Sequence, residues 1–235
     1  MEFKVYGHGG VPVLALPARG GRFYDWENNG MPEAAARLLH EGKMQLFCAD
    51  SIDAESLLAG HETPRRRAEM QEKYFVYLTA ELAPRIAALN APEAKKPPLI
   101  WCAGVDTGAY QAVQCRLRRP GVFAGAVGLS GLYDMSRFLG GCEDDLVLRS
   151  SPLAALRKNG ICNKNLLAKA EENTLLLCVG QGGYEGDALA DTQALADTLK
   201  ETGLPCHLEV WGGDVSHDWY WWGKEFGMFA ERLFG

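Results

Sequence analysis

The residues best placed to do chemistry are Gly104-Val105-Asp106-Thr107-Gly108. An apolar run, Pro98 to Cys102, precedes them and a helix-like segment, Ala109 to Arg118, follows. A strand, a sharp turn with glycine two residues before and after its centre, and a helix make a nucleophile elbow, normally Gly-x-Ser-x-Gly. The glycines let strand and helix pass closely while the central residue takes a strained backbone. Here that residue is aspartate. A carboxylate with a reference pKa of about 3.9 needs no base, but it is a weak nucleophile. Attack on an ordinary ester gives a mixed anhydride and must expel an alkoxide, a stronger base, so the step mostly reverses. Attack on a haloalkane or an epoxide gives a stable ester that histidine-activated water can cleave. A third route has Asp106 and a histidine jointly orienting a water.

Partners for Asp106 follow in the order acid, then histidine. Glu185 or Asp187 comes after one predicted strand and His217 after the next. A carboxylate that orients an imidazole beside the elbow is the arrangement of a catalytic triad. Glu185 is preferred, because it comes earlier in its loop; Asp187 is the alternative. Donors for a developing oxyanion are expected from backbone N–H groups in Ala18 to Arg22, especially Gly20, Gly21 and Arg22, together with Thr107. The helix N-terminus adds positive potential there. His8-Gly9-Gly10 resembles an oxyanion motif but precedes the strand at 11–16, so it reads as a hairpin turn. Trp219 lies close enough to His217 to border a pocket, although the cluster Trp219 to Trp222 reads first as helix packing.

These residues need elements to position them. Strands are expected at Val11–Leu16, Met44–Ala49, Pro98–Cys102, Gly125–Ser130, Thr174–Val179 and Cys206–Trp211. Helices are expected at Met31–His40, Arg65–Asn90 (with Pro84 kinking or ending it), after the elbow, at Ala188–Thr202 and at Asp218–Phe234. The alternation predicts an α/β protein, a mainly parallel central sheet with helices on both faces. Sites in such sheets form beyond the carboxyl ends of the strands. Four loops fall there: 17–30, 104–108, 180–187 and 212–219. Residues 135–173 have no clear pattern and are too few for a large lid.

The chain of 235 residues predicts one domain, residues 1–235. Hydrophobic residues are 47% and charged residues 23%, as in soluble globular proteins. The net charge of −6 argues against a nucleic-acid partner. The basic run Arg65-Arg66-Arg67 adjoins Glu69 and Glu72 and reads as a solvated helix face. No apolar run approaches a membrane span. The seven cysteines are odd in number and lack metal-ligand spacing, and no secretory signal is visible at Met1-Glu2-Phe3-Lys4. The expectation is a cytoplasmic protein without metal or cofactor, acting on a small molecule. A homo-oligomer is left open.

Four segments carry a resemblance. They are Pro17 to Tyr24, the elbow continuing through Gly108-Ala109-Tyr110-Gln111-Ala112, Leu129-Ser130-Gly131-Leu132-Tyr133-Asp134, and Ser216 to Trp222. In these the chain resembles the putative esterase family of α/β-hydrolases, which includes esterase D-like and enterochelin esterase-like enzymes. The resemblance spans nearly the whole chain. It implies an α/β-hydrolase fold and a Ser-Asp/Glu-His triad acting on a small ester-like substrate. His217 and an acid match that pattern, and Asp106 departs from it. Aspartate tolerates left-handed backbone and is favoured at a helix N-terminus. The alternatives are therefore a catalytically silent ligand-binding or scaffold member, and an Asp-nucleophile hydrolase of a haloalkane or epoxide. The latter usually has Trp after the nucleophile and a cap domain, whereas Thr107 follows here.

Overall fold

The computed structural model describes residues 1–140, 144–159 and 175–235. Seven strands form one sheet in the order β1-β3-β2-β4-β5-β6-β7. They are β1 Phe3–Tyr6, β2 Val11–Leu16, β3 Met44–Ala49, β4 Ile100–Val105, β5 Phe123–Leu129, β6 Leu175–Val179 and β7 His207–Val210. All neighbours run parallel except β1, which pairs antiparallel with β3. The central strands are apolar on both faces because helices cover both. On β2, Leu14 and Leu16 enter one core with Tyr110, Val113, Leu78 and Ile86, while Val13 and Ala15 enter the other with Trp26, Leu38, Trp222 and Phe229.

The helices are α1 Asp25–Asn28, α2 Met31–Ala34, α3 Ala36–His40, α4 Pro64–Val76, α5 Ala83–Asn90, α6 Thr107–Arg118, α7 Ser136–Leu139, α8 Asp145–Arg149, α9 Pro152–Asn159, α10 Gly186–Glu201 and α11 Trp219–Phe234. Three local expectations need correction. The helix expected over Met31–His40 is broken at Ala35, whose φ of −117° leaves the helical region. Pro84 does not end its helix: a π-helical stretch, Tyr77–Leu82, precedes it and leads into α5. The wider turn relieves the clash that a proline ring makes with a regular preceding turn. His8-Gly9-Gly10 is not a hairpin turn, because β3 lies between β1 and β2. Every residue of β3 is buried, so it needs a neighbour on each side, whereas β1 is half-buried and suits an edge.

The basic run at the start of α4 is a solvated face, with Arg65 and Arg66 each 3.4 Å from Glu69. Cys48, Cys102 and Cys178 are buried free thiols in strands. Cys142 and Cys162 lie outside the described residues, as do residues 160–173 of the unpatterned stretch 135–173. Among the described residues no helix is long and apolar enough to cross a membrane.

The carboxyl ends of β2 to β7 lie along one edge of the sheet. The chain winds from β2 to β3 on one side, then crosses back to β4 and continues to β5 on the other. The crevice at such a reversal is where parallel sheets bind ligands. The loops after β2 and β4 flank it.

Candidate active site

Asp106 sits where β4 ends and α6 begins, with φ 53° and ψ −119°. A non-glycine residue at positive φ is strained and persists only where its surroundings impose it. Here β5 and the elbow impose it: Asp106 N–H donates to the Leu129 carbonyl at 3.1 Å, and the Asp106 carbonyl accepts from Ala109 N–H at 3.2 Å. The glycines permit the approach. A Cβ on Gly104 would overlap the Gly108 backbone, and one on Gly108 would overlap the carbonyls of Leu16 and Pro17. Asp106 is the N-cap of α6, yet its carboxylate caps no helix N–H. The usual local use of an N-cap aspartate is therefore forgone. The side chain, 5% exposed, turns into the crevice.

The loops after β6 and β7 knit together to meet it. Gly182 N–H donates to the Val215 carbonyl at 2.8 Å, and His217 N–H to the Gly183 carbonyl at 2.9 Å. This places His217 Nδ1 at 3.2 Å from Glu185 Oε2 and Nε2 at 4.0 Å from Asp106 Oδ1. Glu185 is 1% exposed. Its other oxygen accepts from the Ser130 hydroxyl at 2.6 Å and from Gly180 N–H at 3.4 Å. Trp222 Nε1–H donates to Ser130 Oγ at 2.9 Å, and the Trp222 ring meets the His217 ring edge to face at 4.9 Å. A buried carboxylate is tolerable only with such donors. Together they hold Glu185 in place beneath the imidazole.

Asp187 takes no part in this. It is exposed and pairs with Arg137 Nη1 at 3.0 Å. One residue of sequence separates Glu185 from Asp187, but the first precedes α10 and turns inward, while the second is on its outer face. Trp219 stands one ring away from His217, edge to face with Trp222 at 5.1 Å. It lines a surface groove of about 520 Å³ together with Gly30, Tyr220 and Lys224.

The loop after β2 provides donors, but not all those expected. Gly21 N–H donates to the Ala18 carbonyl at 2.8 Å and Arg22 N–H to Asp25 Oδ2 at 2.9 Å. Gly20 N–H donates to Asp53 Oδ2 at 3.1 Å. Arg22 points away, its Nε 2.6 Å from Asp50 Oδ1. The N–H that reaches Asp106 is that of Arg19, 3.3 Å from Oδ2, while Arg19 Nη2 lies 3.2 Å from Oδ1. Thr107 is the first helical residue, so its N–H has no acceptor within the helix. Its hydroxyl donates to Asp53 Oδ2 at 3.0 Å. Asp53 thereby ties the Gly20 turn to the start of α6. Burial pushes its carboxyl above the usual carboxylate range; the bonds from Gly20 and Thr107 oppose this, and the charge of Asp106 adds to it.

A family model described as "Putative esterase" matches residues 13–231. The chain belongs to this esterase family. Among solved structures it is similar to a ferulic acid esterase, with TM-score 0.67 and 16% identity over 99% of this chain and 92% of that one. It is similar to MPT51 of Mycobacterium tuberculosis, with TM-score 0.69 and 18% identity over 99% and 92% of the two chains. It is likewise similar to an S-formylglutathione hydrolase from Agrobacterium tumefaciens, with TM-score 0.68 and 14% identity over 99% and 90%. These likenesses establish the α/β-hydrolase fold. Comparison of the sequence with curated proteins gave no match.

Within this esterase-family chain, sequence reasoning missed the Arg19 side chain, Asp53, Ser130 as a donor, and Trp222 as a partner of His217. Two of these had a signal. Asp53 and Ser130 follow β3 and β5, whose carboxyl ends lie on the same edge as those of β4 and β6. Loops after every parallel strand, not only four of them, face the crevice.

Proposed function

We propose that this chain is a hydrolase of small ester-like molecules, with Asp106 at the nucleophile position, His217 as the base and Glu185 orienting it. The observation that carries this reading is the alignment of His217 between two carboxylates, 3.2 Å from Glu185 and 4.0 Å from Asp106. With Nδ1–H directed at Glu185, the lone pair of Nε2 faces the elbow. The gap to Asp106 Oδ1 is too long for a direct hydrogen bond, and a reactant water can contact both atoms. His217 takes its proton as it attacks the acyl carbon and gives it to the alkoxide that departs, so a carboxylic acid and an alcohol are released. The developing oxyanion faces the Thr107 N–H, while Asp106 holds the Arg19 N–H. The Asp106 charge opposes that oxyanion, so the wild-type chain is a poor carboxylesterase. Its membership in the esterase family supports the substrate class.

A second reading, a silent ligand-binding member, is favoured by one contact: Asp106 Oδ2 already takes the Arg19 N–H. Hydrolysis of p-nitrophenyl acetate and of a haloalkane by wild type, Asp106→Ala, Asp106→Ser and Asp106→Ser/His217→Ala separates the readings. Asp106→Ser is expected to raise ester hydrolysis at least about tenfold, since a general base and an oxyanion hole are each worth roughly 10²–10⁴-fold. The second substitution should abolish the gain. Rapid ester hydrolysis by wild type that Asp106→Ala removes would make Asp106 itself a working nucleophile. No turnover by any form leaves the binding reading standing, and dehalogenation by wild type alone points to the haloalkane alternative.

A further inference from the structure

The contacts of the Asp106 side chain are those of a bound ligand. Oδ2 accepts from the Arg19 N–H at 3.3 Å, and Oδ1 lies 3.2 Å from Arg19 Nη2 and 4.0 Å from His217 Nε2. The carboxylate makes no cap bond to the helix it begins, so local structure does not account for its direction. The backbone that carries it is strained, at φ 53°. The guanidinium opposite is braced over the Phe138 ring, 5.3 Å from its centroid, which keeps it near the crevice. One guanidinium nitrogen and the backbone N–H of Arg19, each on a different oxygen of one carboxylate, make a carboxylate-recognition pair. With its methylene counted, the side chain that fills this set is an acetate tethered to the backbone.

We propose that the crevice is a binding site for small carboxylates, that Asp106 occupies it as a tethered ligand, and that Arg19 is the residue that gives it this preference. Nothing in this depends on turnover. It has a direct consequence for the resting protein: any external carboxylate or acyl group must displace Asp106 from Arg19 before it can use the same donors. A small carboxylate thus competes with an anion that is always present at high effective concentration.

The test deletes the tether. Asp106→Gly removes the methylene and carboxylate and suits the positive φ, which glycine adopts without strain. Binding of sodium acetate is measured by calorimetry and by thermal shift, with acetamide as the neutral isostere. Asp106→Gly is expected to bind acetate with a dissociation constant of about 1–10 mM, the range open to a ligand of so few atoms. Wild type should bind at least about 20-fold more weakly, and acetamide should not bind to either. Adding Arg19→Met to Asp106→Gly should weaken acetate at least about tenfold. Asp106→Ala, which retains the Cβ, serves as a second form in the same titration. Equal affinity for acetate and acetamide, equal binding by wild type, or no effect of Arg19→Met would each overturn the proposal. Failure of the esterase reading looks different: Asp106→Ser is then inactive while acetate still binds Asp106→Gly.

Discussion

At the residue scale the site depends on which side chains and N–H groups a strained turn can bring together. Gly104 and Gly108 have no room for a methyl group, because backbone atoms occupy the space a Cβ would take. Gly104→Ala or Gly108→Ala should each destabilise the protein by more than about 2 kcal/mol, as overpacking against rigid backbone does. Urea denaturation measures this, and a loss below about 0.5 kcal/mol for both would show that strand and helix can separate freely. The assignment of the acid is tested in the Asp106→Ser background. Glu185 is buried against Ser130 and His217, whereas Asp187 pairs with Arg137 in solvent. Glu185→Gln should lower kcat on p-nitrophenyl acetate by about 10²-fold or more, because the imidazole loses the carboxylate that orients it and stabilises its protonated form. Asp187→Asn should leave kcat within about twofold. The reverse order would move the acid to Asp187.

At the element scale, α11 decides where His217 stands. Its N-cap is Asp218, whose carboxylate accepts from Tyr220 N–H at 3.0 Å and Trp221 N–H at 3.2 Å. The helix then lays Trp222, Phe226 and Phe229 into one of the two cores. His217 immediately precedes this cap and its ring rests on Trp222. Asp218→Ala should cost about 1 kcal/mol of stability, the usual value of an N-cap, while Asp218→Asn retains most of it. Chemical denaturation of both variants checks this; equal losses for the two would mean that the cap geometry contributes nothing. The sheet edge shows the same dependence of one element on another. β3 takes the place between β1 and β2 because it is buried throughout, and the loop that follows it brings Asp53 under the Gly20 turn.

At the scale of the whole molecule, one buried group sets a pH dependence. Glu225 is fully buried on α11, and among the described residues its carboxyl oxygens have no hydrogen-bond partner of conventional geometry. Burial pushes its pKa up to about 8; the neighbouring Cys178 thiol opposes this, and the charges of Glu185, Glu209 and Asp218 add to it. The folded chain therefore holds a proton on Glu225 that the unfolded chain releases above its ordinary value of 4.5. Its contribution to stability is complete below that value and is lost as pH rises to about 8. Glu225→Gln keeps the shape without the proton, so the variant should lose less stability than wild type between pH 5 and pH 8. The difference should grow by the order of 1 kcal/mol per pH unit. Parallel stability curves for the two forms across that range would contradict it.

The amino-acid sequence by itself determined the strand–turn–helix around Asp106, the alternation of strands and helices, and the order Asp106, Glu185, His217. These are local matters: glycine spacing, apolar periodicity and position after a strand act within a few residues. The same local logic makes the segment through Pro84 helical, but it does not foresee the π-helical stretch Tyr77–Leu82 before the proline. What only the tertiary structure decided is which partner each polar group meets. Arg19 N–H and Asp106 are 87 residues apart, and Trp222 and Ser130 are 92 apart. Glu185 and Asp187 differ by two positions in sequence and by their side of α10 in space. The four residues of the Gly20 turn offer similar N–H groups, yet those of Arg19 and Gly20 meet carboxylates from the loops after β4 and β3, whereas those of Gly21 and Arg22 bond within their own loop. A hydrogen bond needs its atoms within about 3.5 Å, and that distance is set by how whole elements pack, not by the residues that carry the donors.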